Sequence, residues 1–214
     1  MKLNEQFVIT ISREVGSGGR TIGRTLAEKL GVRFCDKNLI NSLVEKFDLS
    51  VKNIEMIKGQ KKNWLADILQ RVTPVPHAGA LGSTGQEFAP SVTNDELFRA
   101  ESEILKEIAA QESCVIAGRS GFFILKDCPN KLDIFIRSSL STRIGRIMEK
   151  QNVSEVEAER IVERVDTQRE NFIRRYTDTS RYDARNYDLV LNVDGLSNEE
   201  AVEIILKYIE DSSK

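Results

Sequence analysis

Histidine is nearly missing: His77 is the only one in 214 residues. That excludes a triad built on an imidazole base and any zinc site needing two or more histidines. Cysteine is scarce, and the three present (Cys35, Cys114, Cys128) form no C-x-x-C pair. An odd, scattered set excludes a disulfide framework and reads as reduced thiols, as expected of a cytoplasmic protein. No apolar run approaches the ~20 residues that span a bilayer. The opening MKLNEQF leads straight into an apolar strand without a leader-like segment, so neither a membrane role nor export is expected. Charge is balanced as well: 31 Lys and Arg against 33 Asp and Glu leave a formal −2. That is too weak a positive field for duplex nucleic acid.

The residues that are present alternate between two patterns. FVITI (7–11), VRFC (32–35), CVIA (114–117), DIFI (133–136) and LVL (189–191) are short, almost wholly apolar runs, as expected of strands buried on both faces of a parallel sheet. Between them lie helical stripes: Ile22, Leu26 and Leu30, closed by Gly31; then Leu39, Ile40, Leu43, Val44 and Phe47, and Trp64, Leu65, Ile68, Leu69 and Val72. Thr93-x-x-Glu96, Ser154-x-x-Glu157 and Ser197-x-x-Glu200 each match a capping box opening a further helix. Strands alternating with helices predict a three-layer α/β fold over 1–214. Assigning these core faces leaves no apolar stripe that would define an oligomer interface. Three of the four prolines crowd into PVPHAGALGSTGQEFAP, residues 74–90, a loop long enough to be either a mobile lid or slack. In such sheets ligands bind at the carboxyl ends of the strands, which here carry Ser12 to Thr21, Asp36, Arg119 and the segment after Ile136.

SREVGSGGRT, residues 12–21, is the densest chemical signal. Placed on Gly19-Arg20-Thr21, the phosphate-loop pattern G-x-x-x-x-G-K-[ST] puts Glu14 at the first glycine and Arg20 at the lysine. The dinucleotide pattern G-x-G-x-x-G fits Gly16 and Gly18 but meets Thr21 at its third glycine, with Asp36 resembling the ribose-binding acid. A glycine-rich turn without a ligand is the third option. Loop length favours phosphate, because four residues separate the strand from Gly16 and allow the backbone N–H groups to wrap an anion. In that reading Arg20 carries the lysine's charge and Thr21 offers a hydroxyl to Mg²⁺. Ten of the 17 arginines fall between Arg137 and Arg185, as a cluster for an anionic ligand or as helix-surface ion pairs.

VITISREVGSGGRTIGRTLAEKLGVRFCDKNLI, CVIAGRSGFFIL and YDLVLNVDGLSNEEAVEIIL together resemble the cytidylate-kinase-like branch of the P-loop nucleoside monophosphate kinases. The resemblance covers most of the chain and is weakest over 43–95. It implies a five-stranded P-loop kinase core, a helical NMP-binding lobe inserted over 37–95 and an arginine-rich LID over 143–185. It implies ATP and Mg²⁺ as cofactors and nucleotide substrates as partners, with γ-phosphoryl transfer to a CMP- or dCMP-like acceptor. Residue by residue, Gly16, Ser17, Gly18, Gly19, Arg20 and Thr21 hold the donor phosphates, with Thr21 on the metal and Arg143 as a further ATP contact. Asp36, Arg119 and Ser120 face the acceptor, and Asp166 and Arg169 match the D-x-x-R of the LID, with Arg174 or Arg175 beyond it. Arg20, Arg169 and Arg175 are the expected catalytic arginines. Ser120 departs from the family's A-G-R-D motif, whose aspartate helps recognise cytosine, and this leaves the acceptor base open. Such chemistry needs no histidine, because phosphoryl transfer rests on positioning and charge stabilisation. Two alternatives remain: a nucleotide-binding regulatory protein with little turnover, and an NAD(P)-dependent oxidoreductase.

Overall fold

Five short apolar runs pair into one parallel sheet: β1 (Val8–Arg13), β2 (Arg33–Cys35), β3 (Cys114–Ala117), β4 (Lys131–Arg137) and β5 (Leu189–Asn192). Their order is β2-β3-β1-β4-β5. Val8 to Ile11 align with Cys114 to Ala117 on one side, and Val8 to Arg13 with Lys131 to Ile136 on the other. The computed structural model of the chain describes residues 1–46, 53, 54, 56, 65 and 94–212. Of the expected stripe around Trp64 only Leu65, helical and buried, is described, and the Thr93 cap and the Pro74–Pro90 segment lie outside the described residues.

Seven helices are described: α1 (Gly19–Leu30), α2 (Lys37–Lys46), α3 (Asn94–Gln111), α4 (Gly121–Ile124), α5 (Leu140–Gln151), α6 (Glu155–Tyr176) and α7 (Asn198–Ser212). Strand alternation decides where α1 and α7 go. Phe7, Ile9 and Ile11 of the β1 run, with Leu132, Ile134 and Ile136 of β4, share a buried cluster with Ile22 and Leu26 of α1 and Val202 and Ile205 of α7. Each fully buried aliphatic side chain there contributes about 1.5–3 kcal/mol, so this face anchors both the start and the end of the chain. α5 and α6 close on each other through Ile147, Ala158, Ile161 and Val162, and Val15 of the glycine loop packs against that cluster.

The caps follow the sequence. Gly31 ends α1 at φ 65°, its N–H on the carbonyls of Ala27 and Glu28. Ser154 Oγ accepts from Glu157 N at the head of α6. Ser197 and Glu200 complete a reciprocal box before α7, at 2.8 Å and 3.2 Å. β5 differs from expectation: it is the sheet's edge, and Val190 is 44 % exposed, so this strand is buried on one face only.

The chain divides into two compact units, Met1–Lys37 with Glu112–Lys214, and Asn38–Gln111. The second contains α3 and all but the first residue of α2, in the range where a lobe over 37–95 is expected, and buries Ile40, Leu43, Ile104, Leu105 and Ile108. The first contains the sheet and every residue discussed below. No helix among the described residues is long and apolar enough to cross a membrane.

Candidate active site

The carboxyl end of β1 runs directly into the glycine loop. Glu14 N donates to Ile136 O at 3.1 Å, while Ser17 donates through both N and Oγ to Glu14 O, which curls the loop upon itself. Gly16 and Gly18 take φ of 80° and 84°, angles open to glycine without steric cost. Gly18 is the N-cap of α1, without a side-chain cap, and the first turn carries no acidic residue. Ile22 N takes the Gly18 carbonyl at 3.0 Å, so the N–H groups of Gly19, Arg20 and Thr21 have no acceptor within the helix. Aligned peptide dipoles add partial positive charge at the same point, which suits an anion. Thr21 lies exposed in that turn.

Around the loop, one buried carboxylate gathers several arginines. Asp166 of α6 accepts from Val15 N at 3.1 Å, from Arg143 Nη1 at 2.5 Å and from Arg181 Nη1 at 3.2 Å, and lies 3.5 Å from Arg169 Nη1. Arg169 Nη1 donates to the Arg13 carbonyl at 3.0 Å, and Arg181 Nη2 donates to the same oxygen. Arg146 Nη1 holds the Ser17 carbonyl at 2.8 Å. Side chains from α5, α6 and the turn after α6 therefore clamp the loop's main chain from Arg13 to Ser17. Arg181, only 4 % exposed and stacked over Phe135 and Tyr182, belongs to this clamp although no motif singles it out. Its one sequence signal is the density of arginine between 137 and 185.

Gly16 to Thr21 form the loop and the first turn of α1, with Arg143 packed beside Gly16 and Arg169 bound to the Arg13 carbonyl just before the loop. The Arg143 guanidinium faces Asp166, which makes it a brace on the loop. Arg20 turns to Asp36: Nε and Nη2 lie 2.7 Å and 2.5 Å from Oδ2, with Arg24 4.0 Å from the same oxygen. Asp36 is buried, so two residues expected on separate substrates form one ion pair joining α1 to the end of β2. After β3, Gly118, Arg119 and Ser120 form a left-handed turn with φ of 80°, 53° and 57°. Burial pushes the Arg119 guanidinium down to about 10, and the buried Ser120 Oγ has no hydrogen-bond partner among the described residues. Arg175 sits apart from these contacts, exposed near the end of α6 with its guanidinium over Tyr176. Arg174 pairs with Glu170 at 2.6 Å.

The strand order separates the two nucleotide-binding readings. Dinucleotide-binding sheets place β2 beside β1, whereas here β3 stands between them. A family model described as the cytidylate kinase-like family matches residues 8–195. The chain belongs to the cytidylate kinase-like family. Within that family it is a nucleotide kinase, a phosphotransferase. It is 27 % identical over 203 residues to a cytidylate kinase of Sulfolobus acidocaldarius, covering 94 % of this chain and 93 % of the relative. It is 29 % identical over 209 residues to a cytidylate kinase of Archaeoglobus fulgidus, covering 94 % of each. Among solved structures, an uncharacterised protein from Eubacterium ventriosum superposes with a TM-score of 0.69 at 23 % identity, over 96 % of this chain and 99 % of the other. A shikimate kinase from Bacteroides thetaiotaomicron gives 0.52 at 15 %, over 95 % and 98 %. The fold is that of the P-loop kinases.

Proposed function

We propose that this cytidylate kinase-like protein transfers the γ-phosphoryl group of ATP, with Mg²⁺, to a nucleoside monophosphate of the CMP or dCMP type, giving ADP and the diphosphate. The observation that carries this reading is the convergence of an uncapped, acid-free helix start with a loop clamped by Arg143, Arg146, Arg169 and Arg181. The N–H groups from Gly16 to Thr21 hold the donor phosphates. Thr21 offers its hydroxyl to Mg²⁺. Among the described residues no group of three or more His, Cys, Asp or Glu stands ready for a metal, which suits an ion held mainly by phosphate oxygens and water.

Arg119 and Ser120 take the acceptor, the guanidinium on its phosphate and the partnerless hydroxyl on a polar group of the nucleotide. In this reading 37–95 is the nucleoside-monophosphate-binding lobe, and 143–185 serves as the LID, with Arg169 and Arg175 on the transferring charge. Cys35 and Cys114 are buried free thiols, in keeping with a cytoplasmic enzyme.

The Arg20–Asp36 pair favours a second reading, a nucleotide-binding regulator with little turnover, because it removes the expected lysine substitute from the loop. ADP release measured with ATP–Mg²⁺ and CMP, dCMP or UMP separates the two. Acceptor-dependent turnover supports the kinase, and ATP binding without turnover supports the regulator.

A further inference from the structure

The phosphate-loop pattern can be laid on this chain in a second register, and the start of α1 decides between the two. Ending on Gly18-Gly19-Arg20, the pattern has its second glycine at the N-cap and its lysine position at Gly19, the first residue of α1. Its first position is then Arg13, the last residue of β1. In this register arginine stands where the loop has glycine, glycine where it has lysine, and Arg20 where it has Ser or Thr, so that the Thr21 hydroxyl lies one residue past the usual place.

The exchange of Arg13 and Gly19 is reciprocal in space. A Cβ on Gly19 would stand 2.6 Å from Arg13 Cβ and 3.0 Å from its Cγ, so only one of the two positions can bear a side chain. From there Arg13 reaches across to the end of β3, where its Cζ would lie 2.8 Å from a Cβ on Gly118. Its guanidinium thus lies between the phosphate loop and the Gly118-Arg119-Ser120 turn. The carboxylate that attracts it, Asp36, is itself ion-paired with Arg20 and lies 4.0 Å from Arg24. Burial above all, and then the neighbouring Arg169 and Arg181, push it down to about 9, while Asp36 works against them.

We infer that Arg13, not Arg20, is the phosphate-binding cation of this loop, replacing from the strand end the lysine that Gly19 lacks. The inference rests on the kinase reading and adds the residue that bridges donor and acceptor.

The probe is inorganic tripolyphosphate, which carries the phosphates without a base, titrated calorimetrically into the wild-type chain, Arg13→Met and Arg20→Met. Loss of one charge-assisted phosphate contact lowers affinity about 10- to 100-fold. We expect that loss in Arg13→Met, with the same variant losing acceptor-dependent ADP release. Arg13→Met binding within threefold of wild type overturns the inference, the more decisively if Arg20→Met is the variant that fails. Should Arg13→Met not fold, the Nε–H resonance of Arg13, assigned in the wild-type chain, is followed through the same titration. A shift that saturates with ligand upholds the assignment, and an unmoved resonance overturns it. A wild-type chain that binds tripolyphosphate through Arg13 but releases no acceptor-dependent ADP loses the kinase reading and keeps this one.

Discussion

At the end of β3, Gly118, Arg119 and Ser120 hold left-handed backbone angles in succession, a geometry that costs about 1–2 kcal/mol at each non-glycine position. Strain of this kind persists where surrounding contacts over-determine it, commonly at ligand sites. Gly118 escapes the cost, and its missing side chain leaves the space that the Arg13 guanidinium fills. Gly118→Ala is therefore expected to destabilise the fold by about 1–2 kcal/mol, read as a lower urea midpoint at unchanged m-value. It is also expected to weaken tripolyphosphate binding by displacing Arg13. Legibility at this scale depended on locality. Gly31, Ser154 and the Ser197–Glu200 box were readable because a cap is set by residues within four positions. Arg13 and Arg181 were not, because their roles depend on partners more than 100 residues away: Arg13 on Gly118, Arg181 on the Arg13 carbonyl. Arg20 carried the right charge in the motif, but only its ion pair with Asp36 shows that its side chain leaves the loop.

Secondary-structure elements meet at the phosphate loop through few groups, and Asp166 is the most connected of them. It is buried on α6 while binding Val15 of the loop, Arg143 of α5 and Arg181 beyond α6. Removing one partner of a buried charge network costs about 3–5 kcal/mol, because the remaining charges stay desolvated. Asp166→Asn keeps the shape and removes the charge, so a loss near 3 kcal/mol in urea unfolding is expected. The start of α5 is held differently. Asp194 accepts from Ser138 Oγ at 2.6 Å and from Ser139 N at 3.0 Å, and these bonds, Ser138 first, hold its carboxyl well below the usual range. A depressed carboxyl contributes stability above its unfolded pKa, near 3.9, and loses it as pH falls through the folded value. Asp194→Asn should then lower Tm at pH 7, with a gap that begins to narrow below about pH 4 and closes only in strong acid, where the folded carboxyl is itself protonated. A gap that stays constant into acid would show that the charge is irrelevant there. The strand cores were legible in composition. The one-sided burial of β5 was not, since an edge is decided by the order of all five strands and not by LVL itself.

For the whole molecule, the sheet order is that of a P-loop kinase fold and family membership makes the chain a nucleotide kinase, while the arginine clamp holds the loop that follows β1. Such a protein should discriminate between nucleotides by their phosphates. ATP–Mg²⁺ at 100 times its Kd is expected to stabilise the fold by about 2.7 kcal/mol, while NADH or NADPH leaves Tm unchanged, a comparison made by thermal unfolding of the full chain. The central claim, phosphoryl transfer to a nucleoside monophosphate, is tested most directly by coupled ADP release from ATP–Mg²⁺ with CMP, dCMP, UMP, AMP, GMP or no acceptor. Turnover of about 1–100 per second with a pyrimidine monophosphate, far above the rate without acceptor, is the predicted result. ADP release that is the same with and without every acceptor would contradict it.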